Sequence, residues 1–147
     1  MKILVLNGPN INLLGKRNKK IYGNDSYQDL LSLIFAYGKS HNIFIDEFQS
    51  NHEGVLIDKL QSASEFYDGV IFNPAAYTHT SIALFDTIMA IDIDVVEVHL
   101  SDVDNREQFR KVNYIRPACI DSVSNMGIKG YIEAVKILEK SLKWLLQ

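Results

Sequence analysis

The chain has 147 residues, 47% of them apolar and 22% charged, with a formal net charge of −3. That is the size and make-up of one globular domain, 1–147, with enough chain to bury a core. The acidic balance gives no footprint for nucleic acid, no apolar run reaches the ~18 residues of a membrane span, and the lone Cys119 excludes an internal disulfide. The N-terminus enters a strand pattern at once, leaving no room for a signal peptide, so a reduced, cytoplasmic setting is expected.

Lys2 to Leu6 is a short apolar run of the kind that forms a buried parallel strand. A long loop rich in Gly, Asn and Lys follows to about Asp25 and holds Asn10, Arg17 and Tyr22. Ser26, with Asp29 three residues on, makes a capping pattern, and Leu30, Leu31, Ile34 and Phe35 recur at helical spacing behind it. Ile43, Ile45 and Phe48 mark a second strand, and Glu53 to Ser64 reads as a helix on Val55, Leu56, Ile57 and Leu60. Gly69 to Phe72 is a third strand, running into Asn73. Thr80 to Ile91 is a helix on Ile82, Leu84, Phe85, Ile88 and Met89, and it carries Asp86. Val95 to Leu100 is a fourth strand, leading into Ser101. A turn of helix around Arg106 to Arg110 precedes a weaker strand near Ala118 to Val123. The last helix runs from about Gly130 to Leu146, on Ile132, Val135, Leu138, Leu142 and Leu145.

Five strands alternating with helices imply a parallel sheet covered on both faces. Right-handed crossovers leave few topologies, and the expected one is a flavodoxin-like doubly wound α/β fold with strand order 2-1-3-4-5. In such a sheet, ligands bind beyond the carboxyl ends of the strands, at the switch point between strands one and three. The polar side chains cluster after those ends: Asn7, Asn10, Arg17 and Tyr22, then Asn73 and His79, then His99, Ser101 and Arg110. Residues far apart in sequence should therefore meet on one rim, as in an enzyme.

Several common uses of this fold are excluded. A dinucleotide site wants Gly-x-Gly-x-x-Gly after strand one, whereas Asn7-Gly8-Pro9-Asn10 stands there and Pro9 removes an amide. No P-loop is present. A flavin mononucleotide site wants a short hydroxyl- and glycine-rich turn, and a phospho-receiver needs carboxylates where this chain has Asn7 and Asn73. Among the histidines, His41 reads as a helix-end residue, and His52 is open between structure and support of a site. His79, near a helix start, suits anion or hydroxyl binding or a structural role. His99 lies between apolar neighbours, as a core histidine or as a site residue at a strand exit.

Four segments together resemble the type II 3-dehydroquinate dehydratase family. They are Asn7-Gly8-Pro9-Asn10-Ile11-Asn12-Leu13-Leu14-Gly15 with Arg17 and Tyr22-Gly23, Phe48-Gln49-Ser50-Asn51-His52-Glu53-Gly54, Asn73-Pro74-Ala75-Ala76-Tyr77-Thr78-His79-Thr80-Ser81, and Glu97-Val98-His99-Leu100-Ser101. Arg106-Glu107 with Phe109-Arg110 also matches in spacing. The resemblance implies a lyase of the shikimate pathway that takes 3-dehydroquinate to 3-dehydroshikimate by anti elimination through an enolate, without metal or cofactor. It implies Tyr22 as base, Arg17 as the cation that makes the phenol more acidic, Asn10 as the residue placing an enolate-stabilising water, and His99 as acid. It implies Asn73, His79 and Arg110 as substrate ligands, with the Leu100 and Ser101 amides and the Ser101 hydroxyl on the carboxylate. Asp86 would reach a neighbouring subunit's site in a homododecamer built from trimers.

The chemistry suits these residue types. A phenol is ordinarily too weak an acid to serve as a base near neutral pH, but a guanidinium at about 4 Å favours the phenolate by roughly 4 kcal/mol at an effective dielectric near 20. Without the resemblance, Arg17 and Tyr22 read equally as exposed loop residues.

The sequence departs from the family pattern in the lid. An acid, often followed by proline, usually stands after the lid arginine, where this chain has Asn18 and Lys19. Asn18 can hydrogen-bond His99 but supplies no charge, so Asp102 or Asp104 is expected to supply part of it, and a lid without the proline is expected to be more mobile. Asp121 and Asn125 stand where small residues are usual. Two other functions compete: a homologue that binds a small molecule or a protein without turnover, and a hydrolase holding zinc on His52, His79 and His99. Ser101 and Cys119 lack a nucleophile turn.

Overall fold

A computed structural model describes residues 1–144; the Leu145 and Leu146 end of the expected last helix lies outside the described residues. The strands are β1 (Lys2–Asn7), β2 (Phe44–Gln49), β3 (Gly69–Asn73), β4 (Asp94–Val98) and β5 (Asp121–Val123). All pair in parallel in the order β2-β1-β3-β4-β5, the flavodoxin-like order expected. The helices are α1 (Lys19–Tyr22), α2 (Tyr27–His41), α3 (Glu53–Phe66), α4 (Ile82–Ala90) and α5 (Lys129–Trp144).

Successive residues of a strand face opposite sides of the sheet, so a strand covered on both sides must be apolar at every position. Ile3, Val5, Ile71 and Val96 meet Leu30 and Ile34 of α2 and Val135 and Leu138 of α5. Leu4, Leu6, Val70 and Phe72 meet Leu56 and Leu60 of α3 and Leu84 and Ile88 of α4. In the central strands β1 and β3, the two cores leave only the ends free to carry polar side chains.

The helix ends follow local chemistry. Ser26 and Asp29 exchange the two bonds of a capping box, at 3.1 and 2.7 Å. Ser26→Ala is expected to cost about 1 kcal/mol, read as a melting point lower by about 3 °C with turnover unchanged. His41 ends α2 with Nδ1 2.9 Å from the Tyr37 carbonyl and its ring stacked on Tyr37, as expected of a helix-end residue. Helix α4 starts later than the apolar pattern suggests because Ser81 caps it, accepting from the Leu84 amide at 2.9 Å.

Three local features depart from expectation. Strand β4 stops at Val98, so His99 and Leu100 lie just beyond it. Strand β5 starts at Asp121, because Pro117 opens a 3₁₀ turn over Arg116–Ala118. The segment read as a continuous loop contains α1, a single turn too short to show periodicity. At the switch point, the Gly8 amide donates to the Asn73 carbonyl at 2.7 Å. A Cβ on Gly8 would lie 2.6 Å from the Pro74 carbonyl oxygen, so only glycine lets the loops after β1 and β3 close up.

Candidate active site

The carboxyl ends of β1, β3 and β4 open on a cavity of about 120 Å³, near the ~150 Å³ of an engineered cavity that takes one benzene ring. The loop after β1 brings Asn10, Arg17 and Tyr22 to it. The end of β3 and the turn behind it bring Asn73 and His79, and the exit of β4 brings His99, Leu100 and Ser101. Arg106 and Arg110 follow from the next loop. Of the site residues assigned from sequence, Asp86 alone stays out, exposed on α4.

The Tyr22 phenol oxygen accepts from Arg17 Nη2 at 3.0 Å and from Arg106 Nη1 at 3.1 Å. The Arg17 guanidinium also lies 4.0 Å from the centre of the Tyr22 ring. One cation was expected there and two are present. Helix α1 produces the meeting of Arg17 with Tyr22, because its single turn folds the chain back over five residues. Asn18 starts that turn, accepting from the Lys20 amide at 3.1 Å. Its oxygen thus satisfies an otherwise unpaired helix N–H, which corrects the expectation that it would bond His99.

The carboxylate that holds His99 is Glu97, two residues back near the end of β4, so that the chain leaving the strand keeps both side chains on one face. His99 Nε2 lies 2.7 Å from Glu97 Oε1, leaving Nδ1 as the ring's other nitrogen. Glu97 is fully buried and accepts from the Thr78 and Ser122 hydroxyls, both at 2.8 Å, and from Asn113 Nδ2 at 3.0 Å. Arg116 Nε stands 3.5 Å behind it. Burial pushes the Glu97 carboxyl up, but the bond and charge of His99 and the two hydroxyls outweigh burial and hold it down at about 2. The carboxylate therefore stays charged against the imidazole ring.

Asp102 and Asp104, expected to share that role, are engaged elsewhere. Asp102 accepts from the Asp104 amide at 3.1 Å and Asn105 Nδ2 at 2.6 Å, and Asp104 lies 3.6 Å from Arg116. The signal for Glu97 was present in the sequence, as a lone acid inside an apolar strand two positions before a histidine.

The depressed Glu97 value has a consequence for stability. Unfolded, this carboxyl protonates near 4.5; folded, near 2. Its contribution is present above about pH 4.5 and is lost as pH falls toward 2, amounting to at most about 3 kcal/mol. Urea unfolding from pH 6 down to pH 3 is expected to show that loss in wild type and to lack it in Glu97→Gln.

His79 Nδ1 lies 2.7 Å from the Val112 carbonyl, which only accepts, so the proton sits on Nδ1. Burial lowers the His79 pKa, the carbonyl bond opposes this, and the charges of Arg110, His99 and Arg106 lower it further. A neutral ring with that tautomer offers Nε2 as an acceptor. This suits a hydroxyl, not the anion that the position near a helix start also allowed. Arg110 Nε is 3.0 Å from Glu107 Oε2 but poorly aimed. The Leu100 and Ser101 carbonyls accept from the Gly127 and Asn125 amides at 3.0 and 3.2 Å. Their own amides have no partner among the described residues.

Among the described residues, no group of three or more His, Cys, Asp or Glu is disposed to hold a metal ion. His52 is exposed at the start of α3, apart from the cavity that His79 and His99 line. Burial, followed by the charge of Glu97, pushes the Cys119 thiol up to about 12, the reverse of an activated nucleophile. No helix among the described residues is long and apolar enough to cross a membrane.

Residues 1–139 match the family model described as Dehydroquinase class II. A 3-dehydroquinate dehydratase of Clostridium beijerinckii is 53% identical over 140 residues, covering 95% of this chain and 96% of that one. One from Thermotoga petrophila is 41% identical over 145 residues, covering 99% of each. The type II dehydroquinase structure from Butyrivibrio crossotus matches with a TM-score of 0.92 at 47% identity, over 95% of this chain and 97% of that one. A family match over nearly the whole described chain, together with this fold, makes the chain a member of the class II dehydroquinase family.

Proposed function

We propose that this chain is a 3-dehydroquinate dehydratase that forms 3-dehydroshikimate by anti elimination of water through an enolate, with Tyr22 as base and His99 as acid, and without metal or cofactor. One observation carries the reading. A phenol oxygen under two guanidinium groups and an imidazole backed by a buried carboxylate line the same small cavity.

The Tyr22 oxygen takes the proton next to the substrate ketone, and the C–H electron pair moves into the enolate. Arg17 and Arg106 favour negative charge on that phenol oxygen before the transfer. Asn10 places a water that donates to the enolate oxygen. As the enolate collapses, the conjugated double bond forms and the C–O bond breaks. The departing hydroxyl takes a proton from His99 and leaves as water. The Glu97 carboxylate holds the ring and accommodates its positive charge before that step. The Leu100 and Ser101 amides and the Ser101 hydroxyl bind the substrate carboxylate, while Asn73, His79 and Arg110 bind elsewhere on the substrate.

Loss of either arginine is expected to weaken the base. Arg17→Ala and Arg106→Ala should each lower kcat by about 10- to 100-fold, and the double variant should lose less than the product of the two, because both act on one oxygen. Steady-state rates of the four proteins test this, and strict additivity would separate the two residues. Asp86, exposed on α4, enters a neighbour's site if trimers pack into a dodecamer of the 16.7 kDa chain. Sedimentation of wild type gives the assembly directly. The reaction itself is followed by ultraviolet absorbance, since the product carries a conjugated enone and the substrate does not.

A further inference from the structure

Residues 50–52, after β2, line no part of the cavity, yet they tie together the loops that do. Asn51 Oδ1 accepts from the Asn10 backbone amide and from Gln49 Nε2, both at 3.1 Å. Gln49 Nε2 also donates to the Gly8 carbonyl at 3.2 Å. The Asn51 carbonyl accepts from the Tyr77 hydroxyl, in the turn after β3, at 2.8 Å. The Ser50 amide donates to the Asn7 carbonyl at 3.0 Å.

These bonds bear on one peptide. Gly8-Pro9-Asn10-Ile11 is a tight turn, closed by the Ile11 amide 3.4 Å from the Gly8 carbonyl. Asn10, in its third position, has φ 69° and ψ 0°, and proline stands before it. That is the pattern of a type II turn. The commoner type I turn has the same ends and the same ψ at this position, with φ negative. The two differ by a flip of the central peptide, here Pro9–Asn10, which reverses its N–H. The Gly8 carbonyl and the Asn10 carbonyl, which accepts from the Leu13 amide at 3.0 Å, lie on either side of the peptide that flips and do not choose between the two. The Asn10 N–H belongs to that peptide, and its acceptor is Asn51. Positive φ is unfavourable for a residue with a Cβ, but least so for asparagine, so one hydrogen bond is enough to decide. The Asn51 carboxamide is itself settled, because a backbone amide only donates and needs an oxygen opposite it.

We propose that Asn51 is a positioning residue whose side-chain oxygen holds the Pro9–Asn10 peptide in the type II orientation and thereby aims Asn10 into the cavity. After a flip, the Asn10 side chain would leave the backbone in another direction. The task of Asn10 in the reaction rests on the dehydratase reading; the orientation of the peptide does not.

The test uses Asn51→Ala, which removes the acceptor, and Asn51→Asp, which keeps an oxygen in its place. Asn51 is exposed and belongs to neither core, so both are expected to fold. Asn51→Ala is expected to lower kcat for 3-dehydroquinate about tenfold, the size of one lost hydrogen bond. KM should stay within about twofold, because Asn10 serves the enolate and not the bound substrate. Asn51→Asp should recover most of the rate. In an Asn10→Ala background, Asn51→Ala should cost almost nothing more, since the residue it positions is gone. The Overhauser contact between Pro9 Hα and the Asn10 amide, strong in a type II turn and weak in a type I turn, should weaken in Asn51→Ala and persist in Asn51→Asp.

An Asn51→Ala enzyme with wild-type kcat, or with the Overhauser contact unchanged, overturns the proposal. So does an Asn51→Asp enzyme as impaired as Asn51→Ala, or an equal loss from Asn51→Ala with and without Asn10. If wild type does not turn over 3-dehydroquinate, the dehydratase reading fails, while the Overhauser contact still decides what holds the peptide.

Discussion

Tyr22→Phe is expected to lower kcat about 10³-fold and to leave KM within a few-fold. The phenol oxygen is the only basic atom among its partners, since both groups that touch it, Arg17 and Arg106, are cations with protons to give. Removing it takes away the acceptor for the substrate proton, and general-base contributions are of order 10²–10⁴. KM should change little, because the ring, which carries the packing against Arg17, remains. The fold should also survive, as Tyr22 is only half-buried and sits on α1 rather than in the sheet. Steady-state kinetics with a melting curve checks this. A Tyr22→Phe enzyme within tenfold of wild type would remove Tyr22 from the role of base.

Glu97→Gln is expected to damage both rate and stability, lowering kcat about 10²-fold and the melting point by about 10 °C. Breaking a buried, hydrogen-bonded charge costs about 3–5 kcal/mol, and a chain of this length loses roughly 3 °C per kcal/mol. The amide is a poor substitute because the groups around Glu97 are mostly donors. The Thr78 and Ser122 hydroxyls can rotate, but Asn113 cannot turn over: its Oδ1 already accepts from the Ile115 and Arg116 amides, both at 2.9 Å. A glutamine NH₂ would therefore meet an NH₂. The rate falls because a neutral partner no longer complements positive charge on His99. Loss of stability with an unchanged kcat would make Glu97 purely structural.

Most of the architecture was legible in the sequence because buried parallel strands must be apolar throughout, and Ile3 to Leu6, Val70 to Phe72 and Val95 to Val96 announce themselves that way. The rim was legible because polar residues stand directly after those runs. The missing parts have physical reasons. Helix α1 is one turn long and has no period to detect. Arg106 and Tyr22 are 84 positions apart, and only the tertiary fold brings them together. Glu97 was visible as an odd residue, yet its role was assigned to Asp102 or Asp104, because acids after a strand exit attract attention and an acid inside a strand does not. Asn18 was read for what it could offer His99, when the nearest need was the unpaired amide of Lys20.

The central claim concerns a phenol and an imidazole in one cavity, which together carry out the two proton transfers of a dehydration. The direct measurement is enone absorbance after adding 3-dehydroquinate to wild type, Tyr22→Phe and His99→Ala, each confirmed as folded. The prediction is a steady rise with wild type and essentially none with either variant. A folded wild type that binds 3-dehydroquinate without forming enone, or variants that form it at the wild-type rate, would contradict the account.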